Sequence, residues 1–315
     1  MKRHCFPSVV VLFLLMTLSC GGGGGGSSPP PFSQADLTGT WYVSILQAGP
    51  TLAGSAEPGW MRGIATMSSS GTISVPIMET NLGTGPGPVG VVWTIDPWTG
   101  VISESSGTFP AGNPDFHGKL SANKQLVVGT ATNQNSVSGS ETVQLRIIQK
   151  IIPTFATYTI SDIANKTFMI HQIESGDGSE WMYAEGSTGP VFSGVTTTGT
   201  LLSPITKPSG TSGGGVIEAL SISPSGIMSL SSNSSFQGMV SPRNTYMVAT
   251  ETSAVDSTVY RLTVIQFKNA ATSYSLSDLA GTWRNHSIQH TQCGGVALQH
   301  GNNQRHGSWD HYRPA

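Results

Sequence analysis

The chain has 315 residues, with 15 Lys+Arg against 17 Asp+Glu, so charged residues make up only 10% of it, well below the roughly 25% of an ordinary globular domain. With no basic stretch to meet a phosphate backbone, nucleic acid is excluded as a partner class. Three cysteines are too few for a disulfide framework, and 39 glycines with 19 prolines favour short strands joined by many turns.

Residues 1–19 read as a signal peptide. Lys2, Arg3 and His4 form a basic start, and Val9–Leu18 is an apolar run shorter than the roughly 20 residues that span a bilayer. Thr17-Leu18-Ser19-Cys20 followed by Gly21 resembles a bacterial lipobox, with Thr17 where Leu is more usual. The resemblance implies that Cys20 becomes the first mature residue and carries acyl chains, which anchor a protein that lacks a spanning helix. The absence of Asp after the Cys implies sorting to the outer membrane, facing the periplasm or the surface. The alternative is a secreted protein cut nearby, with Cys20 a bystander. Gly21–Pro31 (GGGGGGSSPPP) completes a tether over residues 20–31, flexible in its glycines and stiffer in its prolines, with a reach of about 35–40 Å.

A phrase then recurs. Phe32–Trp41 is FSQADLTGTW, Tyr158–Phe168 is YTISDIANKTF and Tyr274–Trp283 is YSLSDLAGTW. Asp36, Asp162 and Asp278 fall at intervals of about 120 residues, one domain's worth of chain. Ser33-x-x-Asp36 and its two counterparts are short capping-box patterns that predict one helical turn. The turn is broken at Gly39 and Gly281, and a strand begins at Trp41, Phe168 or Trp283. The predicted units are residues 32–152, 158–270 and 274–288, the last a truncated third copy.

The first unit predicts eight strands, near Thr40–Leu46, Trp60–Met67, Thr72–Thr80, Val89–Ile95, Val101–Ser105, Phe116–Leu120, Gln125–Thr132 and Thr142–Ile151. Gly83–Pro88 and Thr108–Pro114 are predicted as long loops. Period-two alternation puts Val91, Trp93 and Ile95 on one face. It also puts Val143, Leu145 and Ile147 on one face, which turns Arg146 outward, and Arg261 likewise. The second unit repeats the plan: Phe236-Gln237-Gly238 matches Phe116-His117-Gly118, and Leu262–Gln266 (LTVIQ) matches Leu145–Gln149 (LRIIQ). The short linkers predict that neighbouring units touch.

The expected fold is therefore all-β: tandem eight-stranded up-and-down barrels, which close and leave no edge. Gly39-Thr40-Trp41 and Gly281-Thr282-Trp283 resemble the Gly-x-Trp motif that opens lipocalins and bacterial lipocalin-like domains. That resemblance implies a Trp across the closed end of each barrel, with an Arg from a late strand beside it.

The third copy runs into HSIQHTQCGGVALQHGNNQRHGSWDHYRPA, where five of the 8 His residues lie. His-rich composition alone is a weak warrant for a metal site, and none is expected. A one-base forward shift near Gln292 permits Gly-Trp-Arg-Tyr-Ser-Met from the codons of Gly-Gly-Val-Ala-Leu-Gln-His. The same shift permits Ala-Gly-Ile-Ile-Thr-Val over Ser308–Arg313. These match Gly59-Trp60-Met61-Arg62 and the Ser70–Val75 segment of the first unit. Residues 289–315 are thus expected to be a frameshifted tail, with Tyr274–Ile288 a stub that is disordered or docks on the second unit.

Catalytic constellations do not assemble. Gly210-Thr211-Ser212-Gly213-Gly214 fits G-x-S-x-G but lacks the strand-to-helix context of a nucleophile elbow. Glu174, Asp177 and Glu180 read as a solvated hairpin, not a calcium loop. Glu218 is more informative. Aligning Ile95 with Ile222 sets Trp93 opposite Leu220 and Val91 opposite Glu218, so the second unit directs a carboxylate where the first has an apolar wall. A lone buried carboxylate costs several kcal/mol unless it is paired, which marks Glu218, with Trp93 and Leu220, as candidate ligand residues. The expected function is a lipid-anchored, non-catalytic envelope protein that binds a small apolar or amphiphilic ligand, with no cofactor. The alternative is a structural or protein-interaction module with filled barrels.

Overall fold

The computed structural model describes residues 30–49, 58–105, 115–134, 141–152, 157–177, 181–188, 197–201, 205–207, 210–212, 218–268, 281–290 and 296–305. The first unit opens with a 3-10 turn, Gln34–Leu37. It continues through β1 (Gly39–Ala48), β2 (Gly59–Met67), β3 (Thr72–Ser74), β4 (Met78–Thr80), β5 (Gly83–Gly85), β6 (Val89–Ile95), β7 (Val101–Ser105), β8 (Asp115–Leu120), β9 (Leu126–Gln134) and β10 (Glu141–Ile151). A second 3-10 turn, Ile160–Asp162, leads into β11 (Thr167–Gly176), β12 (Trp181–Thr188), β13 (Thr197–Leu201), β14 (Ile205–Lys207), β15 (Gly210–Ser212), β16 (Glu218–Ile222), β17 (Ile227–Leu230), β18 (Gln237–Val240), β19 (Tyr246–Thr252) and β20 (Val259–Lys268). A hairpin of β21 (Gly281–His290) and β22 (Val296–Arg305) follows.

The first sheet runs β1-β10-β9-β8-β7-β6-β3-β2 and returns to β1, a closed antiparallel barrel of eight strands. Closure pairs every ladder and removes the free edge. The third strand expected over Thr72–Thr80 is broken. Pro76 has no N–H to give a ladder, so β3 ends at Ser74. Ile77 is 66% exposed, and β4 pairs with β5 to form a hairpin that folds back on β2. Part of the expected Gly83–Pro88 loop is thus a strand, while the Thr108–Pro114 loop lies outside the described residues. The second sheet takes the corresponding order, β11-β20-β19-β18-β17-β16-β13-β12, with the β14–β15 hairpin on β12.

The repeated phrase does in space what its pattern predicts. Asp36 Oδ2 accepts the Ser33 N–H at 2.7 Å, and Asp162 Oδ2 accepts the Thr159 N–H at 2.7 Å. Each carboxylate satisfies a donor that a short helix leaves unpaired. Trp41 is fully buried at the end of the barrel, donating from Nε1 to Leu37 O at 2.7 Å. Its cation is Lys150 of the last strand, not an Arg: Nζ lies 5.2 Å from the Trp41 ring centre and donates to Asp36 O at 2.8 Å.

The second unit makes this closure with its parts exchanged. Trp41 pairs in register with Lys150, whereas Phe168 pairs with Phe267. The cation comes instead from Lys166, two residues before Phe168, with Nζ 5.8 Å from the Phe267 ring. The first-unit counterpart of Lys166 is Gly39, where an added Cβ would meet Lys150 Cε at 3.3 Å. Gly39 also has φ 128°, a conformation that L side chains rarely adopt. Each unit thus sets a lysine over an aromatic ring at this end, from β10 in the first and from the residue before β11 in the second, and in the first Lys124 also pairs with Asp36 at 2.9 Å.

The two units share an apolar interface. Leu46 and Ile147 pack with Val248 and Leu262, flanked by Leu145, Ile173 and Val264. This corrects the expected direction of Arg146. The apolar residues of β10 alternate with Arg146, but their face is the outer one, covered by the second unit. Arg146 points into the barrel. An apolar face need not be the inner face where a barrel wall is buried on both sides.

Asp278 lies outside the described residues, as do Cys20 and the residues before Pro30. Gly281 and Trp283 fall on β21, which pairs with β22 through part of the His-rich tail. β21 lies beside β9 and β10 of the first barrel, not in the docking position on the second unit that was expected for a stub.

Candidate functional site

Inside the first barrel is a cavity of about 60 Å³. Its apolar wall includes Val43, Met61, Met67, Met78, Val91 and Trp93, and its polar wall is Glu104, Gln144 and Arg146. The register explains the convergence. Trp93 on β6 faces Glu104 on β7, and Ile45 on β1 faces Arg146 on β10, all at inward positions.

Glu104 Oε2 accepts from Trp93 Nε1 at 2.8 Å and from Arg146 Nη1 at 3.0 Å. Arg146 Nε donates to Gln144 Oε1 at 2.9 Å, and Gln144 Nε2 donates to Gln47 Oε1 at 2.8 Å. The guanidinium lies 5.1 Å from the centre of the Phe116 ring, which stacks on Trp93 at 4.8 Å. Burial pulls the Arg146 pKa below its usual range, and the charge of Glu104 opposes that. Arg146 nevertheless stays protonated, because a guanidinium starts so high.

The side chain of Glu104 is only 1% exposed, yet its Oε1 has no hydrogen-bond partner among the described residues. A buried carboxylate oxygen without a donor is costly. It leaves one acceptor on the cavity wall.

The sequence-derived candidates separate in space. Trp93 is in this site. Leu220 is its counterpart in the second sheet, as predicted, and packs in that sheet's own core. Glu218 stands at the start of β16 opposite Gly199. Its side chain is outside the described residues, so the cluster of Glu218, Trp93 and Leu220 is not one place. Glu104, Gln144 and Arg146 were missed. Scarcity of charge alone does not single them out, since Arg62, Glu79, Asp115, Lys119, Glu141 and Lys150 also lie on strands of the first unit.

The second unit places its buried ions elsewhere. Leu220 and Leu230 are register partners where the first unit has Trp93 and Glu104. Its cation is Arg261, the counterpart of Gln144, which donates from Nε to Glu174 Oε1 at 2.8 Å and approaches Glu251 Oε1 at 3.6 Å. Glu174 therefore belongs to a part-buried ion pair and not to a solvated hairpin. Arg261 also faces inward, against the expected outward direction. Ser212 sits on β15 paired with Ile205, a hairpin strand and not an elbow. No group of His, Cys, Asp or Glu among the described residues has the arrangement of a metal site.

No protein-family model matches the chain, and no curated protein matches it. Several solved structures resemble the chain, two of them as follows. One is a protein of unknown function from the DUF3598 family of Nostoc punctiforme, 8% identical, covering 77% of this chain and 100% of its own, with a TM-score of 0.23. The other is kievitone hydratase from Nectria haematococca, 8% identical, covering 75% of this chain and 91% of its own, with a TM-score of 0.22. Likenesses this loose carry no argument, and the barrel rests on its own strand pairings.

Proposed function

We propose that this chain is a lipid-anchored protein of the bacterial envelope, built from tandem lipocalin-like barrels, whose first barrel binds a small amphiphile without catalysis. The observation that carries the reading is Glu104 Oε1, an acceptor without a donor on the wall of an apolar cavity. A ligand with an apolar body and one N–H or O–H donor supplies what that wall lacks. The cavity limits its size: drug-sized ligands occupy roughly 300–1,000 Å³, so this one has only a few heavy atoms unless the wall moves. Met61, Met67 and Met78 are unbranched and repack readily, which is the route to a larger guest. Oε2 is already committed to Trp93 and Arg146, which favours an acceptor role over acid–base chemistry. Cys20 and the tether of residues 20–31 would hold the units off the outer membrane.

A second reading, a structural or interaction module with filled barrels, is favoured by the small cavity and by the apolar interface between units. Native mass spectrometry of the chain purified from its own host's envelope separates the two. A mass excess that disappears on denaturation, and is absent from Glu104→Gln, supports the ligand. A bare mass that stays unchanged with a panel of small alcohols, amines and fatty acids favours the second reading. Cys20→Ser should release the protein from the membrane fraction, and its retention there would remove the anchor from the proposal.

A further inference from the structure

Among the described residues, the most exposed large apolar side chains are Leu82, at 78%, and Val255, at 96%. Each stands at the tip of a hairpin, Leu82 between β4 and β5 and Val255 between β19 and β20. Turn positions ordinarily take Gly, Asn, Asp, Pro or Ser. The second unit follows that habit, with Pro208-Ser209 between β14 and β15 where the first has Asn81-Leu82. The turn itself therefore does not call for a leucine.

The two tips belong to different units and meet at one end of the molecule. The Asn81 N–H donates to Trp60 O at 3.3 Å, and Trp60 Nε1 donates to Thr252 Oγ1 at 2.8 Å. One tryptophan thus joins the neighbour of Leu82 to the end of β19, from which the chain runs on to Val255. Beside it, Arg62 Nη1 donates to Ser235 O at 2.7 Å and to Thr250 O at 3.2 Å, which fixes one unit on the other. Trp60 pairs with Leu46, while Trp41 pairs with Ala65, so both tips lie at the end remote from Trp41.

Charge is sparse in these segments. Pro76–Val89 contains one ionised side chain, Glu79, held by Arg62 at 2.7 Å. Ser253–Thr258 contains one, Asp256, which accepts from Thr258 N and Oγ1 at 2.9 Å and 2.7 Å. Neither segment has a Lys or Arg. Ile77 and Val89, on the flanks of the first hairpin, are also more than half exposed, while Met78 and Pro88 of the same segment line the cavity. A single exposed apolar residue is ordinary on a protein surface, whereas several gathered together mark a contact.

We propose that this end of the molecule is a lipid-contact edge, with Leu82 and Val255 entering the interfacial layer of a bilayer. A side chain that protrudes with water nearly all around it fits a deformable apolar medium, not a preformed pocket on a folded partner. The lack of cations makes the contact apolar, with no attraction to anionic headgroups. It also brings the Met78–Pro88 wall of the cavity towards the lipid, the natural source of an amphiphile. The tether leaves from the opposite end, but its reach of about 35–40 Å matches the roughly 33 Å of a ten-residue strand such as β1. An anchored chain can therefore turn this edge to its own membrane. The contact goes beyond the ligand reading and needs neither acylated Cys20 nor a guest, so failure of either leaves it standing.

The test is vesicle flotation of the chain from Gly21 onward, which keeps every described residue and leaves out the leader and Cys20. Circular dichroism melts check its fold. The chain should float with phosphatidylcholine vesicles, and neither added phosphatidylglycerol nor high salt should change its partition. Leu82→Asp and Val255→Asp should each lower partition about tenfold or more with the melting temperature unchanged, since both side chains are exposed. Trp98→Asp, in the exposed turn at the tether end, should leave partition as it was. No flotation overturns the proposal, as does binding that appears only with phosphatidylglycerol. Loss of flotation in Trp98→Asp with none in the other two assigns the contact to the tether end and also overturns it. Self-association that Leu82→Asp abolishes, without any vesicle binding, assigns the edge to a second copy.

Discussion

Glu104 and Arg146 concentrate the energetics of the first barrel in two side chains. Each is a buried ion in a mostly apolar lumen, and breaking such a pair costs about 3–5 kcal/mol because the survivor is left uncompensated. Glu104→Gln keeps the shape and removes the charge, so the melting temperature should drop by an amount corresponding to that range. Replacing both, as Glu104→Gln with Arg146→Met, should cost much less than the sum of the single changes, since no buried charge remains. Additive losses in thermal melts would show that the pair is not coupled. Trp93→Phe removes only the indole N–H and should cost about 1–3 kcal/mol, with the stack on Phe116 retained.

The ends of the two units show how an element tolerates exchange of its parts. Trp41 with Lys150, and Phe267 with Lys166, are two solutions to one packing problem. Gly39 is the residue that makes the first solution possible. Gly39→Ala combines a positive-φ penalty of about 1–3 kcal/mol with pressure on Lys150. Chemical denaturation of the variant should therefore show a loss in that range. Gly39→Lys together with Lys150→Phe imports the second unit's arrangement and should recover part of the loss from Gly39→Lys alone. No recovery would mean that the exchange is not a compensation. The break at Pro76 is another local device: it ends β3 and lets β4 return to β2.

At the scale of the molecule, two units share one apolar interface, and each holds a tyrosine whose hydroxyl is perturbed by burial. Burial pushes the hydroxyls of Tyr42 on β1 and Tyr246 on β19 up to about 12. The unfolded side chains ionise near 10, so the folded state keeps these protons longer. The stability they protect is complete below pH about 10 and is lost as pH rises towards about 12. Alkaline unfolding, followed by tyrosinate absorbance and circular dichroism, should fall in that window. Tyr42→Phe with Tyr246→Phe should move it upward. Arg62 is 2% exposed, pairs with Glu79 at 2.7 Å and reaches two carbonyls of the second unit. Arg62→Ala should cost about 2–5 kcal/mol and split a single calorimetric transition into two. One undivided transition at the original temperature would remove Arg62 from the interface energetics.

Local pattern determined a great deal. The chain itself settled its all-β class, seven of the strands in the first unit to within a few residues, and the pairing of Asp36 with Ser33 and of Asp162 with Thr159. It also matched Trp93 with Leu220. These follow from nearest-neighbour chemistry: period-two alternation, turn residues and a capping carboxylate act over a handful of positions. Tertiary structure decided which face of each strand is inside. β10 is apolar on one face because a second unit covers it, so alternation by itself turns the inward Arg146 outward and hides the Glu104–Arg146 site. The site joins β6, β7 and β10, elements that no sequence window spans. Alternation identifies two faces, but only the fold, by placing a barrel lumen behind one and a neighbouring unit against the other, assigns each face its environment.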